Sequence, residues 1–147
     1  MEPFTTEAAP AITELLREHG WPERQIEGQL EALATLVASG DGLALTAAED
    51  GSPIGFISLQ VHRWNNLGQI HGLAVRRDRL RRGHATALLE AAETFARDRG
   101  CRGIYVDTPV DNNGGRAFYE ALGYSEDYRM TRYYADDLDG VTYVKFF

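Results

Sequence analysis

Five arginines fall within seven residues, Arg76 to Arg82, directly ahead of Gly83-His84-Ala85-Thr86, where a helix is expected to begin. The first backbone N–H groups of a helix have no internal partner and carry partial positive charge. A glycine at that point lets an anion approach the backbone. The segment reads as a phosphate site or, more blandly, as a solvated loop. It is not a Walker loop, because no Gly-Lys-Ser/Thr occurs, and not a dinucleotide fingerprint, because three spaced glycines are absent. His19, His62 and His84 show no metal-ligand spacing, and with one cysteine no zinc site is expected. That cysteine, Cys101, follows a helix-stopping Gly100 and reads as inert.

The elements that must position this loop follow from hydrophobic period. Residues 11–18 place Ile12, Leu15 and Leu16 at helical spacing. After His19-Gly20-Trp21-Pro22, residues 23–38 place Ile26, Leu30, Leu33, Ala34 and Val37 on one helical face. The first ten residues read as irregular. Past Ser39-Gly40-Asp41-Gly42 the pattern changes to strands at 43–49, 53–62 and 69–75, separated by turn residues and suited to an antiparallel meander. A helix from about 83 to 99 carries Ala85, Leu88, Leu89, Ala92 and Phe95 as its apolar stripe. A strand at 103–108, a short helix at 116–122 and strands at 126–134 and 141–147 complete the chain. The order is α-α-β-β-β-α-β-α-β-β in one domain, residues 1–147. The middle β-α-β is expected to be a parallel crossover in a mixed sheet.

With the loop and elements in place, the chain resembles a known family. LAVRRDRLRRGHATALLEAAETFARDRG, residues 73–100, is similar to the acetyl-CoA binding motif of the GNAT N-acetyltransferases. NNGGRAFYEALGY, residues 112–124, is similar to that family's second motif, N-x-x-A-x-x-F-Y-x-x-L-G-F. The resemblance runs from residue 43 to 134, while the first 40 residues match in their helix-helix layout. It implies an α/β (α+β) GNAT fold, with a mostly antiparallel mixed sheet of six or seven strands flanked by about four helices. It implies acetyl-CoA as co-substrate. Backbone groups of Leu73 and Val75, beside Ala74, would pair with the pantetheine arm as an added strand does. Leu80, Arg81, Arg82, Gly83, His84, Ala85 and Thr86 would cradle the pyrophosphate. Asn112 would lie near the pantetheine, and Tyr119 would protonate the departing thiolate. Leu80 stands where glutamine or arginine is usual, Ala85 replaces the second glycine, and Gly115 replaces the usual alanine. That last change is expected to loosen the helix start by about 1 kcal/mol.

Acetyl transfer to an amine requires removal of an ammonium proton, donors for the oxyanion, and a proton for the sulfur. Backbone N–H groups near Leu73 to Val75 are the candidate oxyanion donors. Gln69 stands where some members of the family carry a basic glutamate, and glutamine takes no proton. The remaining candidates for the base are Asp107, matching an acid that works through water in some members, and His71, whose ordinary pKa lies near neutrality. Both also have bland readings as hydrogen-bonded strand residues, and a water chain with no dedicated base is a further option.

Tyr133-Tyr134 followed by Asp136, Asp137 and Asp139 resembles the paired tyrosines and acidic loop that help hold the amine in protein N-terminal acetyltransferases. Trp21 is a candidate for a substrate lid or for simple packing over its helix corner, and Trp64 reads as a hairpin cap. The expected acceptor is a small cationic amine or a peptide N-terminus. A non-catalytic acyl-CoA binding module of the same fold is the alternative.

The bulk properties agree. The chain has 147 residues, 44% hydrophobic and 25% charged, as ordinary globular proteins do. A net charge of −7 disfavours nucleic acid and favours cationic partners. No apolar run approaches the roughly 20 residues of a membrane span. A lone cysteine and an N-terminus without a signal pattern lead to a cytoplasmic expectation. The aromatic tail, Tyr143 to Phe147, suits a homodimer interface or a buried strand.

Overall fold

The computed structural model describes residues 1–147. The break at Ser39–Gly42 separates helices from strands, as the change of hydrophobic period dictates. Helix α1 spans Ala9–Glu18, with Pro10 in its first turn, where a missing N–H breaks no helical bond. Helix α2 spans Glu23–Ser39 and stops at Gly40, whose φ of 72° is the left-handed helix end. Then come strands β2 (Gly42–Glu49), β3 (Ser52–His62) and β4 (Leu67–Val75) and helix α3 (His84–Asp98). Strand β5 (Gly103–Pro109), helix α4 (Asn113–Ala121) and strands β6 (Ser125–Ala135) and β7 (Leu138–Phe146) follow. Residues Glu2–Pro3 form a short β1 paired antiparallel with β2, so the first ten residues are not wholly irregular. No helix is long and apolar enough to cross a membrane.

The seven strands form one sheet in the order β1-β2-β3-β4-β5-β7-β6. Every pair is antiparallel except β4 with β5, which α3 connects as a parallel crossover. Strand β3 reads out the two sides of the sheet, because neighbouring side chains alternate faces. Phe56 joins Ile12, Leu15, Leu16 and Leu33 of α1 and α2 in one buried cluster. Ile57 and Leu59 join Leu88, Leu89 and Ala92 of α3 in the other.

The inward face of α2 differs from the sequence expectation. Ile26, Gln29, Leu33 and Leu36 are buried, whereas Ala34 and Val37 are exposed. The reason is a polar contact that pattern-reading scores as outward. Gln29 donates to Ser58 Oγ of β3 at 2.9 Å in the interior, and this rotates the helix toward Leu36. On α3, Ala96 is buried and Phe95 only partly so, a smaller rotation of the same kind.

Leu88 is wholly buried in the α3 cluster. Leu88→Ala is expected to lower stability by about 2–5 kcal/mol, through lost burial and the cavity left behind. Urea unfolding of both proteins measures this as a lower midpoint at unchanged slope.

Candidate active site

Strands β4 and β5 pair only from Leu67–Gly103 to Ile70–Val106. Beyond that point they separate. On its other side, β4 carries an irregularity: Ser58 opposes Gly72, but Leu59 opposes Ile70, so His71 is an extra residue. Such bulges bend a strand and re-aim its side chain. The ladder then resumes along β3, with Arg76 N–H donating to Ile54 O. Alternation therefore turns the main-chain groups of Ala74 toward β3, and those of Leu73 and Val75 into the gap. An extended ligand can add there as a strand. The Val75 carbonyl already has one partner, His19 Nε2 at 2.6 Å, so its second lone pair is the one on offer.

The arginine segment lies at the mouth of this gap. It passes through a 3-10 turn at Arg77–Arg79 and enters α3 with Arg81 at φ 63° and Gly83 at φ 84°. Positive φ values this close together aim successive N–H groups at one point, the geometry of an anion nest. No side chain caps the start of α3, and its first internal bond runs from Ala87 N to Gly83 O. The preceding N–H groups are left for a ligand. The Leu80 side chain is exposed. The side chains of His84 and Arg82 turn toward Glu49, so His84 offers the site its backbone N–H.

Helix α4 brings Tyr119 to the strands that flank the gap. Asn112 caps this helix, its Oδ1 accepting from Gly115 N at 3.1 Å while its Nδ2 donates to Thr108 Oγ1 at 2.9 Å. A Cβ on Gly115 would lie 2.4 Å from Asn112 Nδ2, so a side chain there would displace the capping amide. Arg116 fastens the same turn, donating to the Tyr143 hydroxyl at 3.0 Å and the Val110 carbonyl at 2.8 Å. Tyr119, 6% exposed, packs among Phe118, Tyr124 and Tyr143 and shares a cluster with Ile70, Val75 and Val106, which flank the gap. Its hydroxyl has no hydrogen-bond partner within the chain, yet no fully enclosed polar side-chain atom lacks one. The hydroxyl therefore keeps access to solvent space. Burial raises its pKa, so it stays protonated.

Asp107 lies on the other face of β5 from Val106. Its Oδ1 accepts from Thr142 Oγ1 at 2.5 Å and its Oδ2 from Tyr133 Oη at 3.4 Å. Tyr133 reaches it because β6 jumps register between Met130 and Ala135, bulging residues 131–134 opposite Asp139. Arg132, at φ 56°, donates its N–H to the Asp139 carboxylate at 2.8 Å. Asp139 is thus a strand residue holding the bulge. The expected loop of 136–140 shrinks to a turn at Asp136-Asp137. Tyr134 meets Tyr133 edge-on, with ring centroids 4.9 Å apart.

His71 donates from Nε2 to Gln60 Oε1 at 2.8 Å, and His62 makes the matching bond to Gln69 at 2.8 Å. With Nε2 carrying its hydrogen, His71 Nδ1 keeps a lone pair. The surrounding protein pulls the His71 pKa below the ordinary histidine value; His62 adds to this and Asp107 opposes it. His71 also forms part of a groove of about 430 Å³ between α2 and the β3–β4 pair, with Glu31 and Asp41 on its rim. Trp21 is partly buried against the α1–α2 cluster, the packing reading of this residue. Trp64 is 85% exposed in the β3–β4 turn and caps nothing. In the tail, Tyr143 is wholly buried while Phe146 is exposed.

Several site residues have no signature in the sequence. Thr142 is found only through the β5–β7 register, which sets it opposite Asp107. Gln60 is found only through the bulge at His71, and Glu49 only through the return of the phosphate loop onto the end of β2.

A gap beside two parallel strands, an uncapped helix start and a buried tyrosine with a free hydroxyl thus lie on neighbouring elements. The family model described as "Acetyltransferase (GNAT) family" matches residues 9–124, and the chain belongs to that family of acetyl-CoA-dependent acetyltransferases. It is 30% identical over 133 residues to an aminoglycoside N(6')-acetyltransferase type 1 of Stenotrophomonas maltophilia, covering 85% of this chain and 86% of that one. It is 36% identical over 85 residues to N-alpha-acetyltransferase 30 of Schizosaccharomyces pombe, spanning 57% of each chain. Among solved structures, an aminoglycoside 6'-N-acetyltransferase complexed with coenzyme A superimposes with a TM-score of 0.79 at 18% identity, covering 99% of this chain and 95% of that one.

Proposed function

We propose that this chain moves an acetyl group from acetyl-CoA to a cationic primary amine by direct transfer in a ternary complex. The observation that carries this reading is the disposition of groups about the β4–β5 gap. Tyr119 serves one face of the sheet, and Asp107 with His71 serves the other. Acetyl-CoA supplies an activated acyl group when bound. Leu73 and Val75 align its arm through their main-chain groups, and N–H groups of this strand face the carbonyl oxygen. The segment Leu80–Thr86 holds the phosphates. Tyr119 donates a hydrogen bond, and then its proton, to the departing sulfur.

The amine arrives protonated. Asp107 and the π faces of Tyr133 and Tyr134 attract the ammonium, and the acidic rim of the groove by α2 draws cations toward it. Asp107, or His71 through Nδ1 on the same face of the sheet, takes up the proton that frees the lone pair. The named relatives are an aminoglycoside N(6')-acetyltransferase and an N-alpha-acetyltransferase. The site chemistry suits either a small amine or a peptide N-terminus.

The test is release of free CoA from acetyl-CoA, followed with a thiol reagent, across polyamines, aminosugars, amino acids and short peptides with free N-termini. Turnover with one class supports the reading and identifies the acceptor. Tight acetyl-CoA binding with no turnover on any amine overturns it in favour of a non-catalytic acyl-CoA module.

A further inference from the structure

Glu49 closes β2 and lies 30 residues before Arg79, yet its carboxylate gathers two arginines and a histidine of the phosphate loop. Oε2 accepts from Arg79 Nε at 2.5 Å. Oε1 lies 3.1 Å from His84 Nε2 and 3.7 Å from Arg82 Nη1. The Arg79 hydrogen bond, with His84 and the guanidinium charges adding to it, holds the Glu49 pKa below the usual glutamate value against the opposing effect of burial. The carboxylate is therefore ionised at neutral pH.

A negative charge beside a phosphate site repels the ligand. A fixed carboxylate here needs a role that outweighs that repulsion. Its three partners span the loop: Arg79 ends the 3-10 turn, Arg82 precedes Gly83, and His84 opens α3. Between Arg79 and His84 lie Arg81 and Gly83, the two positive-φ residues that aim the N–H groups. For an arginine that conformation is strained and persists only where neighbours enforce it.

We propose that Glu49 is a positioning residue for acetyl-CoA, clamping Arg79, Arg82 and His84 so that the loop keeps its anion-binding form before the ligand arrives. The clamp also divides the arginines. Arg79 is committed to Glu49 and Asp78, and Arg76 to Asp78. Arg77 and Arg81 have no carboxylate partner and are left to meet the phosphates. This inference rests on the loop being the pyrophosphate site.

The sign of one substitution tests it. Glu49→Gln removes a negative charge near the ligand. If Glu49 acted through its field alone, CoA would bind more tightly. If it acts as a clamp, CoA binds more weakly, by about tenfold, the worth of a charge-assisted hydrogen bond. Calorimetric titration with CoA reads this directly. KM for acetyl-CoA is expected to rise in step, while kcat at saturating acetyl-CoA and KM for the amine stay close to wild type. Glu49→Asp keeps the charge but shortens the reach. It is also expected to weaken CoA binding, where a field effect leaves affinity unchanged. Thermal unfolding of each variant confirms that it is folded. Unchanged or tighter CoA binding by Glu49→Gln overturns the clamp. Wild-type protein that fails to bind CoA overturns the assignment of the loop, and the clamp with it.

Discussion

Tyr119→Phe is expected to lower kcat by about two to four orders of magnitude, the usual worth of a positioned proton donor. Acetyl-CoA affinity is expected to change little. The aromatic ring packs among Phe118, Tyr124 and Tyr143, and phenylalanine keeps that packing. What is lost is one hydroxyl, which has no partner inside the chain and so leaves no group unsatisfied behind it. This makes the substitution unusually clean, because stability, CoA binding and turnover separate. Burial raises the Tyr119 pKa, so in the wild type the hydroxyl remains a donor through and above the ordinary tyrosine range. The pH profile is therefore expected to show no alkaline loss of activity from this residue below pH 10. Equal turnover by Tyr119→Phe would assign the sulfur's proton to solvent and return weight to a binding-only role for α4.

Asp107→Asn is expected to reduce kcat/KM for the amine by about two to four orders of magnitude. The amide is nearly isosteric and still accepts from Thr142, so the β5–β7 register is preserved. It attracts no ammonium and takes no proton. The same change moves the acidic limb of the profile. His71 already titrates below the ordinary histidine value, chiefly through burial, while Asp107 pulls its pKa back up. Removing that negative charge lowers the His71 pKa further. If His71 shares the base role, activity is needed from its neutral form and falls as pH drops through its pKa. The residual activity of Asp107→Asn is then expected to persist to lower pH than that of the wild type. His62 of β3 also acts on His71 through its charge, and Glu31 and Asp41 line the same groove from α2 and its following loop. All three are unchanged in this variant. An acidic limb that stays put or moves upward excludes His71 and leaves Asp107 or water as the acceptor.

How much of this was legible in residues alone can be argued element by element. The meander β2–β4, the α3 crossover and the final hairpin follow from periodicity and turn residues, because local sterics and burial of one face act over a few residues. The arginine loop stood out as a contiguous segment, whereas Tyr119 was singled out only by its place in a segment that resembles the family's second motif. The inward face of α2 was misread because Gln29 counts as polar in any pattern, and only its meeting with Ser58 makes it an interior residue. Asp139 was misplaced in a loop because the β6 bulge that claims it depends on a register 7 residues away, at Arg132. The crowding of Gly115 by the Asn112 amide was likewise not legible from residue types.

The sequence by itself determined the fold class and the family motifs, since hydrophobic period, turn residues and contiguous motifs are local properties; where acetyl-CoA binds was an expectation carried by the resemblance. The tertiary structure decided the rest. It separated β4 from β5 after Ile70, set Thr142 and Tyr133 on Asp107, paired His71 with Gln60, and placed Glu49 on the phosphate loop. Each of these joins residues 11 or more positions apart, and contacts at that range are fixed by sheet register and packing, which no local pattern encodes.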